Sequence, residues 1–204
     1  MIVQKRTFSI KELELQSGST LRDVEIGYET YGSLDAAGTN AILVTHYFSG
    51  SSHAAGRFHE NDPEPGYWDS IIGPGKPIDT DRYFVVSSDV LSNMTPKLEH
   101  VVTTGPASID PDTGRPYGSS FPLVTIGDFV EVQKQLCDSL GIKRLHAVAG
   151  PSMGALQALE WSARFPDFVD RVVAAIGAGL TAEPFLISIV ESWRSIVELD
   201  PHFN

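Results

Sequence analysis

The first thirty residues alternate polar and apolar side chains, as strands with one buried face do. Apolar residues recur from Phe8 to Leu15, the alternation breaks at Ser17-Gly18-Ser19, and it resumes from Val24 to Tyr31. Alternation over about four to eight residues is typical of a half-buried β-strand. The pattern predicts two strands that pair as an antiparallel hairpin across the glycine turn.

Four later segments are continuously apolar and contain no helical spacing. They are Ala41–Thr45, Tyr83–Val86, Leu145–Ala149 and Val172–Ile176. Short apolar runs of this kind suit strands that are buried on both faces of a parallel sheet.

Three segments space their apolar residues as amphipathic helices do. They are Thr125–Leu140, Met153–Phe165 and residues 183–199. Thr125 and Asp128 form a capping pair for the first, and Gly141 is a C-terminal stop. Strands that alternate with helices after an antiparallel start predict an α/β fold with a mostly parallel sheet. Between the elements, residues 88–124 are rich in proline and glycine, and we expect a long irregular loop, which in a compact domain is usually functional or disordered.

Composition narrows the class of protein. The chain has 204 residues, of which 42% are hydrophobic and 20% charged, so it is globular and not disordered. Its net charge of −11 argues against a nucleic-acid partner, which requires clustered lysine and arginine. One cysteine, Cys137, excludes an internal disulfide. We expect a cytoplasmic protein, because neither a membrane-spanning apolar run nor a secretory signal is visible.

One group of polar residues could be taken for a metal site. His53 and His59 lie near Glu60 and Asp62, but no two histidines have the helical spacing of a metal pair. We interpret this segment as a polar loop and expect neither a metal nor a bound cofactor. Residues 73–76 contain the glycines and lysine of a phosphate loop without its full spacing, and are interpreted as a turn.

The sequence Gly150-Pro151-Ser152-Met153-Gly154 is a G-x-S-x-G motif. An apolar strand precedes it and a predicted helix follows, which is the context of a nucleophile elbow. Ser152 is therefore the candidate catalytic nucleophile. The backbone amide of Met153 can donate to a developing oxyanion at the helix N-terminus. The alternative is a glycine-rich turn with a capping serine.

A second oxyanion donor is expected from the loop after the third strand. That loop is His46-Tyr47-Phe48-Ser49-Gly50, and Phe48 is the candidate for the second amide. The alternative is an ordinary turn at the end of a strand.

A base for this serine is not apparent. The expected order along the chain is Ser, then Asp or Glu, then His, but His202 is the only histidine after Ser152. The candidate acids Asp167, Asp170 and Asp200 lie beside helix ends, and His146 falls inside a strand, where a packing role is expected.

Many ordered segments resemble the homoserine O-acetyltransferase family of the α/β-hydrolase superfamily. Besides the elbow itself, they are Tyr28-Glu29-Thr30-Tyr31-Gly32, Thr45-His46, Ser52-His53-Ala54-Ala55-Gly56, Trp68-Asp69, residues 72–76, residues 79–85, Thr104-Gly105-Pro106, residues 113–118, Phe121-Pro122 and residues 157–161.

The resemblance implies a cytoplasmic homodimer that moves an acetyl group from acetyl-CoA to the hydroxyl of homoserine, in methionine biosynthesis. Ser152 would be the acylated nucleophile, and Met153 and Phe48 the oxyanion donors. Residues 1–180 would form the core and residues 181–204 the start of a helical lid. The family's Asp and His follow the lid, so we expect a sheet that is incomplete at the C-terminus and little activity from this chain alone.

Two alternatives stay open at this point. The first is a serine hydrolase or esterase with the same elbow, because residues 92–103 and the 46–50 loop depart from the family's sequence and the acceptor could be water or another small alcohol. The second is a truncated subunit that is inactive without a partner segment, as the amphipathic 183–199 segment would allow.

Overall fold

A computed structural model describes residues 1–177 and 184–201. Its main sheet has six strands in the order β1-β2-β6-β3-β7-β8, and β4 pairs with β5 separately. The strands are β1 (Arg6–Glu14), β2 (Thr20–Tyr31), β3 (Ala41–Val44), β4 (Ile72–Gly73), β5 (Ile78–Asp79), β6 (Phe84–Ser88), β7 (Leu145–Pro151) and β8 (Val172–Ala175). The helices are α1 (Ile126–Ser139), α2 (Met153–Arg164) and α3 (Pro184–Glu198).

The predicted fold class is confirmed. β1 and β2 form the N-terminal antiparallel hairpin, and β2 joins the sheet antiparallel to β6. From β6 onward the strands β3, β7 and β8 are parallel to their neighbours. All four residues of β3 are buried, which explains their continuous apolar run at the middle of the sheet.

The prediction that Val172–Ile176 is buried on both faces is wrong. β8 lies at the edge of the described sheet, and its Val173 is 54% exposed. Ile176 follows the strand with a positive φ of 45° and is 83% exposed. An edge strand has a neighbour on one side only, so apolar residues there are not enclosed as they are in β3 or β7.

Separate groups of apolar side chains fill the two faces of the sheet. Val130 and Leu136 of α1 and Trp161 of α2 cover one face. Ala54, Ala55 and Ile72, from the segments between β3 and β6, cover the other. Cys137 lies in the first group, where burial raises the pKa of its thiol to about 12.

Helix α1 begins with the predicted capping box. The backbone N–H of Thr125 donates to Asp128 Oδ2 at 2.7 Å, and the Thr125 hydroxyl accepts from the backbone N–H of Asp128 at 3.4 Å. Gly141, with a φ of +79°, follows the helix at the position where a residue without a Cβ is favoured.

Helix α3 confirms the predicted amphipathic helix within one residue at each end, whereas its role as a lid stays a prediction. Most of its apolar side chains are exposed, including Phe185 at 76% and Ile196 at 66%, while Ile189 is partly buried. Within the described ranges, the helices lack the length and apolar character that crossing a membrane requires.

Ser88 ends β6, and residues 89–124 are irregular, as predicted, apart from one 3₁₀ turn at Gly118–Ser120. Their start is anchored to β2, since the N–H of Gly27 donates to Val102 O and the N–H of Asp89 donates to Gly27 O, each at 2.8 Å. The loop is therefore fixed to the sheet at this point.

Candidate active site

Ser152 lies at a strained turn between β7 and α2. Its backbone has φ 54° and ψ −119°, a region that residues with a Cβ rarely adopt. Such a conformation costs about 1–3 kcal/mol and persists only where its surroundings hold it. The N–H of Ser152 donates to Ala175 O at 3.0 Å, while its side chain is exposed and does not cap α2. The serine hydroxyl is thus presented to solvent at the carboxyl end of a central strand, which favours the nucleophile elbow over a capping serine.

The glycines of the motif are required by close contacts with β3. A Cβ on Gly150 would lie 2.1 Å from Thr45 Oγ1, and one on Gly154 would lie 2.2 Å from Thr45 O. Neither contact leaves room for a side chain. The elbow can therefore sit directly against the end of β3 only with glycine at both positions.

Thr45 joins the elbow at Ser152 to the end of β3, from which the 46–50 loop begins. Its N–H donates to Ala149 O at 2.9 Å, and its hydroxyl donates to Gly154 O at 2.8 Å. One residue therefore fixes the end of β3 to both β7 and the first turn of α2. Sequence reasoning assigned Thr45 no role, because its partners lie far along the chain.

The 46–50 loop follows Thr45 and is tightly folded. The carbonyl of Tyr47 accepts a hydrogen bond from the N–H of Gly50 at 2.9 Å and lies 2.7 Å from His46 Nδ1. No cis peptide occurs in the described chain, so the N–H of Phe48 points away from that carbonyl. The loop that carries Phe48 lies against the start of α2, since a Cβ on Gly154 would lie 3.1 Å from His46 O. The amide of Met153, in the first turn of α2, has no partner within that helix. Their roles as oxyanion donors stay predictions.

His46 is fully buried in this loop. Burial lowers its pKa, since the interior disfavours the charged imidazolium. With a carbonyl 2.7 Å from Nδ1, the neutral ring carries its proton on that atom. Its Nε2 has no hydrogen-bond partner within residues 1–177 and 184–201. Because Nε2 is buried and no hydrogen bond joins it to Ser152 among the described residues, His46 is interpreted as a structural group of the loop.

Two of the other candidate residues, Asp170 and His146, have partners elsewhere in the described structure. His202 lies outside the described residues. Asp170 is paired with Arg144. His146 is half-buried and packs against Tyr83, with ring centroids 4.8 Å apart and planes tilted by 32°, which is a packing role.

A buried charge cluster lies beside the loop and was not predicted from sequence. Lys5 Nζ lies 3.0 Å from Glu29 Oε1 and 3.4 Å from Asp89 Oδ2, and both carboxylates are buried. Glu29 also accepts from His53 at 3.0 Å, and Asp89 accepts from the N–H of Ser52 at 2.7 Å. His53 is therefore a partner of Glu29, and the segment after the 46–50 loop is held by ionic groups. The one available signal was Glu29 on the same face of β2 as the buried Tyr31.

Comparison with known proteins shows which family has this fold and elbow. The model of the alpha/beta hydrolase fold family matches residues 61–203. A homoserine O-acetyltransferase of Methanococcoides burtonii is 48% identical over 193 residues, which cover 95% of this chain and 38% of that protein. The chain spans half or less of the length of the curated relatives it matches.

Two solved structures share the fold closely. Esterase E22 superposes with a TM-score of 0.95 at 53% identity, over 100% of this chain and 55% of that chain. A homoserine O-acetyltransferase of Bacillus anthracis superposes with a TM-score of 0.95 at 43% identity, over 98% and 54%. With the match to the family model and the elbow described above, these similarities show that the chain belongs to the alpha/beta hydrolase fold family.

Proposed function

We propose that Ser152 is the nucleophile of an acyl transfer that passes through an acyl-enzyme. The observation that carries this proposal is the exposed serine with a strained backbone between β7 and α2, in an elbow whose Gly154 lies against Thr45 and His46. Backbone strain that exposes a nucleophilic side chain serves no packing purpose, whereas the amides of a helix N-terminus can stabilise the oxyanion of an acyl transfer.

In the first step the Ser152 oxygen attacks the carbonyl carbon of a thioester and its proton passes to a base. The amides of Met153 and Phe48 donate to the negative oxygen that forms. Collapse of this intermediate breaks the carbon–sulfur bond, releases the thiol with a proton, and leaves an acyl ester on Ser152. The base that moves these protons is not assigned among the described residues.

In the second step an acceptor hydroxyl attacks the acyl ester and restores Ser152. We infer that the donor is acetyl-CoA and the acceptor is homoserine, giving O-acetylhomoserine. The support is the names of relatives that are 43–48% identical to this chain and are homoserine O-acetyltransferases. A role in methionine biosynthesis follows from that product and is part of the same proposal.

A second candidate is ester hydrolysis, in which water is the acceptor. The observation in its favour is the 53% identity to esterase E22, which exceeds the identity to the solved acetyltransferase. Both reactions share the acyl-enzyme and differ only in the second step, so the choice depends on which acceptor reaches the acyl group.

One experiment distinguishes the two acceptors. The chain is acetylated with p-nitrophenyl acetate, whose leaving group needs no general acid, and loss of the acetyl group is followed with and without homoserine. A transferase loses it faster with homoserine and forms O-acetylhomoserine, whereas an esterase loses it at one rate and forms acetate. Ser152→Ala is the control for acetylation elsewhere, and acetyl-CoA and succinyl-CoA are then compared as donors.

A further inference from the structure

Three buried polar side chains form a chain of hydrogen bonds that ends on the 46–50 loop. Trp161 Nε1 donates to Gln133 Oε1 at 2.8 Å, and Gln133 Nε2 donates to Gln157 Oε1 at 2.7 Å. Gln157 Nε2 then donates to the backbone carbonyl of His46 at 3.2 Å. We call Trp161, Gln133 and Gln157 the polar relay. All three side chains are at most 1% exposed.

The direction of the relay is fixed by its first member. An indole nitrogen can only donate, so the Gln133 atom facing it must be the amide oxygen. Gln133 therefore turns its NH₂ toward Gln157, and Gln157 turns its own NH₂ toward His46. Every bond points the same way, an arrangement in which neighbouring bonds polarise and strengthen each other.

The relay fixes one peptide of the loop, and the loop's own bonds fix the next. Gln157 holds the His46 carbonyl, which belongs to the peptide before Tyr47. The Tyr47 carbonyl is held by the N–H of Gly50 and by His46 Nδ1, and it belongs to the peptide that carries the N–H of Phe48. With two successive peptide planes held, the direction of the Phe48 N–H is set.

The far end of the loop is held in the same manner. Asn93 Nδ2 donates to the Gly50 carbonyl at 3.1 Å, and Asn93 is itself 4% exposed. Buried side-chain amides therefore hydrogen-bond to both ends of the loop, one from α2 and the other from the 88–124 segment.

Apolar side chains would fill the core at these positions without any need for partners. A buried amide without its hydrogen bonds is destabilising, and one substitution in the relay leaves neighbouring groups unsatisfied. Buried amides at these positions are explained if they hold the 46–50 loop in place. We propose that Gln157 is a positioning residue for the oxyanion donor Phe48, with Gln133 and Trp161 orienting its amide. This inference rests on the proposed function of Ser152.

Two variants of Gln157 test the proposal. In Gln157→Glu, the carboxylate still accepts from Gln133 but has no hydrogen to donate to His46. In Gln157→Leu, both bonds are lost. Val130→Ala is the control, because Val130 is buried on the same helix as Gln133 and is not in the relay. Each variant is measured for Ser152 acetylation by p-nitrophenyl acetate, for thermal unfolding, and for hydrogen exchange at the Gly50 amide.

The expected result is a loss of acetylation that stability does not explain. We expect Gln157→Leu to acetylate about 10- to 100-fold more slowly, since small misplacements at a reacting centre have effects of that size. Val130→Ala should keep the wild-type acetylation rate although its unfolding temperature is similar to that of the Gln157 variants. The acetylation rate of Gln157→Glu relative to that of wild type should rise as pH falls, because a protonated carboxyl regains a hydrogen to donate. A merely structural role would make the thermal unfolding of Gln157→Glu depend on pH, but not the acetylation rate of the folded protein.

Two outcomes would overturn the inference. Acetylation in both Gln157 variants that matches Val130→Ala would show that the loop does not depend on the relay. Gly50 exchange no faster in Gln157→Leu than in Val130→Ala would show the same without any use of activity. If wild type itself is not acetylated at Ser152, the proposed function fails, and the Gly50 exchange still decides whether the relay holds the loop.

Discussion

The rings of Phe48 and Trp193 stack with centroids 6.4 Å apart and planes 18° from parallel. This contact places α3 on the loop that carries the predicted oxyanion donor. Each side chain is about half exposed, at 53% and 51%. The helix expected to begin a lid therefore touches the candidate site through one aromatic pair.

This pair predicts an energetic coupling between loop and helix. Aromatic pairs contribute about 0.5–1.5 kcal/mol beyond the area they bury, and partial exposure favours the lower end. Denaturant unfolding of Phe48→Ala, Trp193→Ala and the double variant should give a coupling of about 0.5 kcal/mol. The pair Phe58→Ala and Trp193→Ala is the control, and the losses of unfolding free energy in these two variants should be additive. Additivity in the Phe48 cycle as well would contradict the contact.

Gly154→Ala tests the packing of the elbow on β3. The new Cβ would lie 2.2 Å from the carbonyl oxygen of Thr45, a backbone atom that cannot turn aside. We expect a loss of about 1–3 kcal/mol of stability from overpacking, and at least about 100-fold slower Ser152 acetylation because the helix must move.

Gly75→Ala is the matched control for this substitution. Alanine is also unfavourable at Gly75, because the backbone there has a φ of +68°, but a Cβ would meet nothing within 4 Å. It should lose about 1 kcal/mol from backbone strain alone and retain its acetylation rate. Equal acetylation in Gly154→Ala and Gly75→Ala would show that the close contact with Thr45 does not position the site.

Lys5→Met tests the buried charge cluster. Removing the ammonium leaves Glu29 and Asp89 as buried carboxylates without their shared counter-charge. Breaking a buried pair in this way costs about 3–5 kcal/mol, and urea unfolding should show a loss of that size. Arg22→Met removes the exposed pair with Asp112 and should change stability by less than about 1 kcal/mol. Similar small effects for both would mean that the cluster is solvated.

The pH dependence of stability tests the state of His46. Because burial lowers its pKa in the native state, the unfolded chain binds a proton first as pH falls through the ordinary value of 6.5. The contribution of neutral His46 is complete above that pH and is lost below it, by up to about 1.4 kcal/mol per pH unit. His46→Asn keeps a donor toward Tyr47 but cannot titrate. Its unfolding free energy should fall less steeply below pH 6.5, and an unchanged slope would contradict the assignment.

Local patterns predicted most of the sheet and all three helices, because burial on one or both faces leaves its own period in the sequence. The continuous run of β3 was interpreted correctly for that reason. The similar run of β8 was not, since its position at the edge depends on neighbours that a local pattern does not contain. The G-x-S-x-G motif identified Ser152 because strand, turn and helix lie together along the chain.

The supports of the site could not be found in the same way. Thr45 and Gly154 are hydrogen-bonded although they are 109 positions apart, and neither residue type alone indicates a partner. Gln133 did leave a signal, since it lies one turn from the apolar Val130 and Cys137 on the buried face of α1. A polar residue on such a face requires a buried partner, but sequence alone does not say that this partner is Gln157.

Ser152 is proposed to carry the acyl group. Mass spectrometry of the intact chain and its peptides after prolonged treatment with p-nitrophenyl acetate tests this proposal, because the low activity expected of this chain alone makes acetylation slow. We expect one acetyl group per chain, on the peptide that contains Ser152, and none in Ser152→Ala. Acetylation that persists in Ser152→Ala, or an unmodified Ser152 in folded wild-type protein, would contradict it.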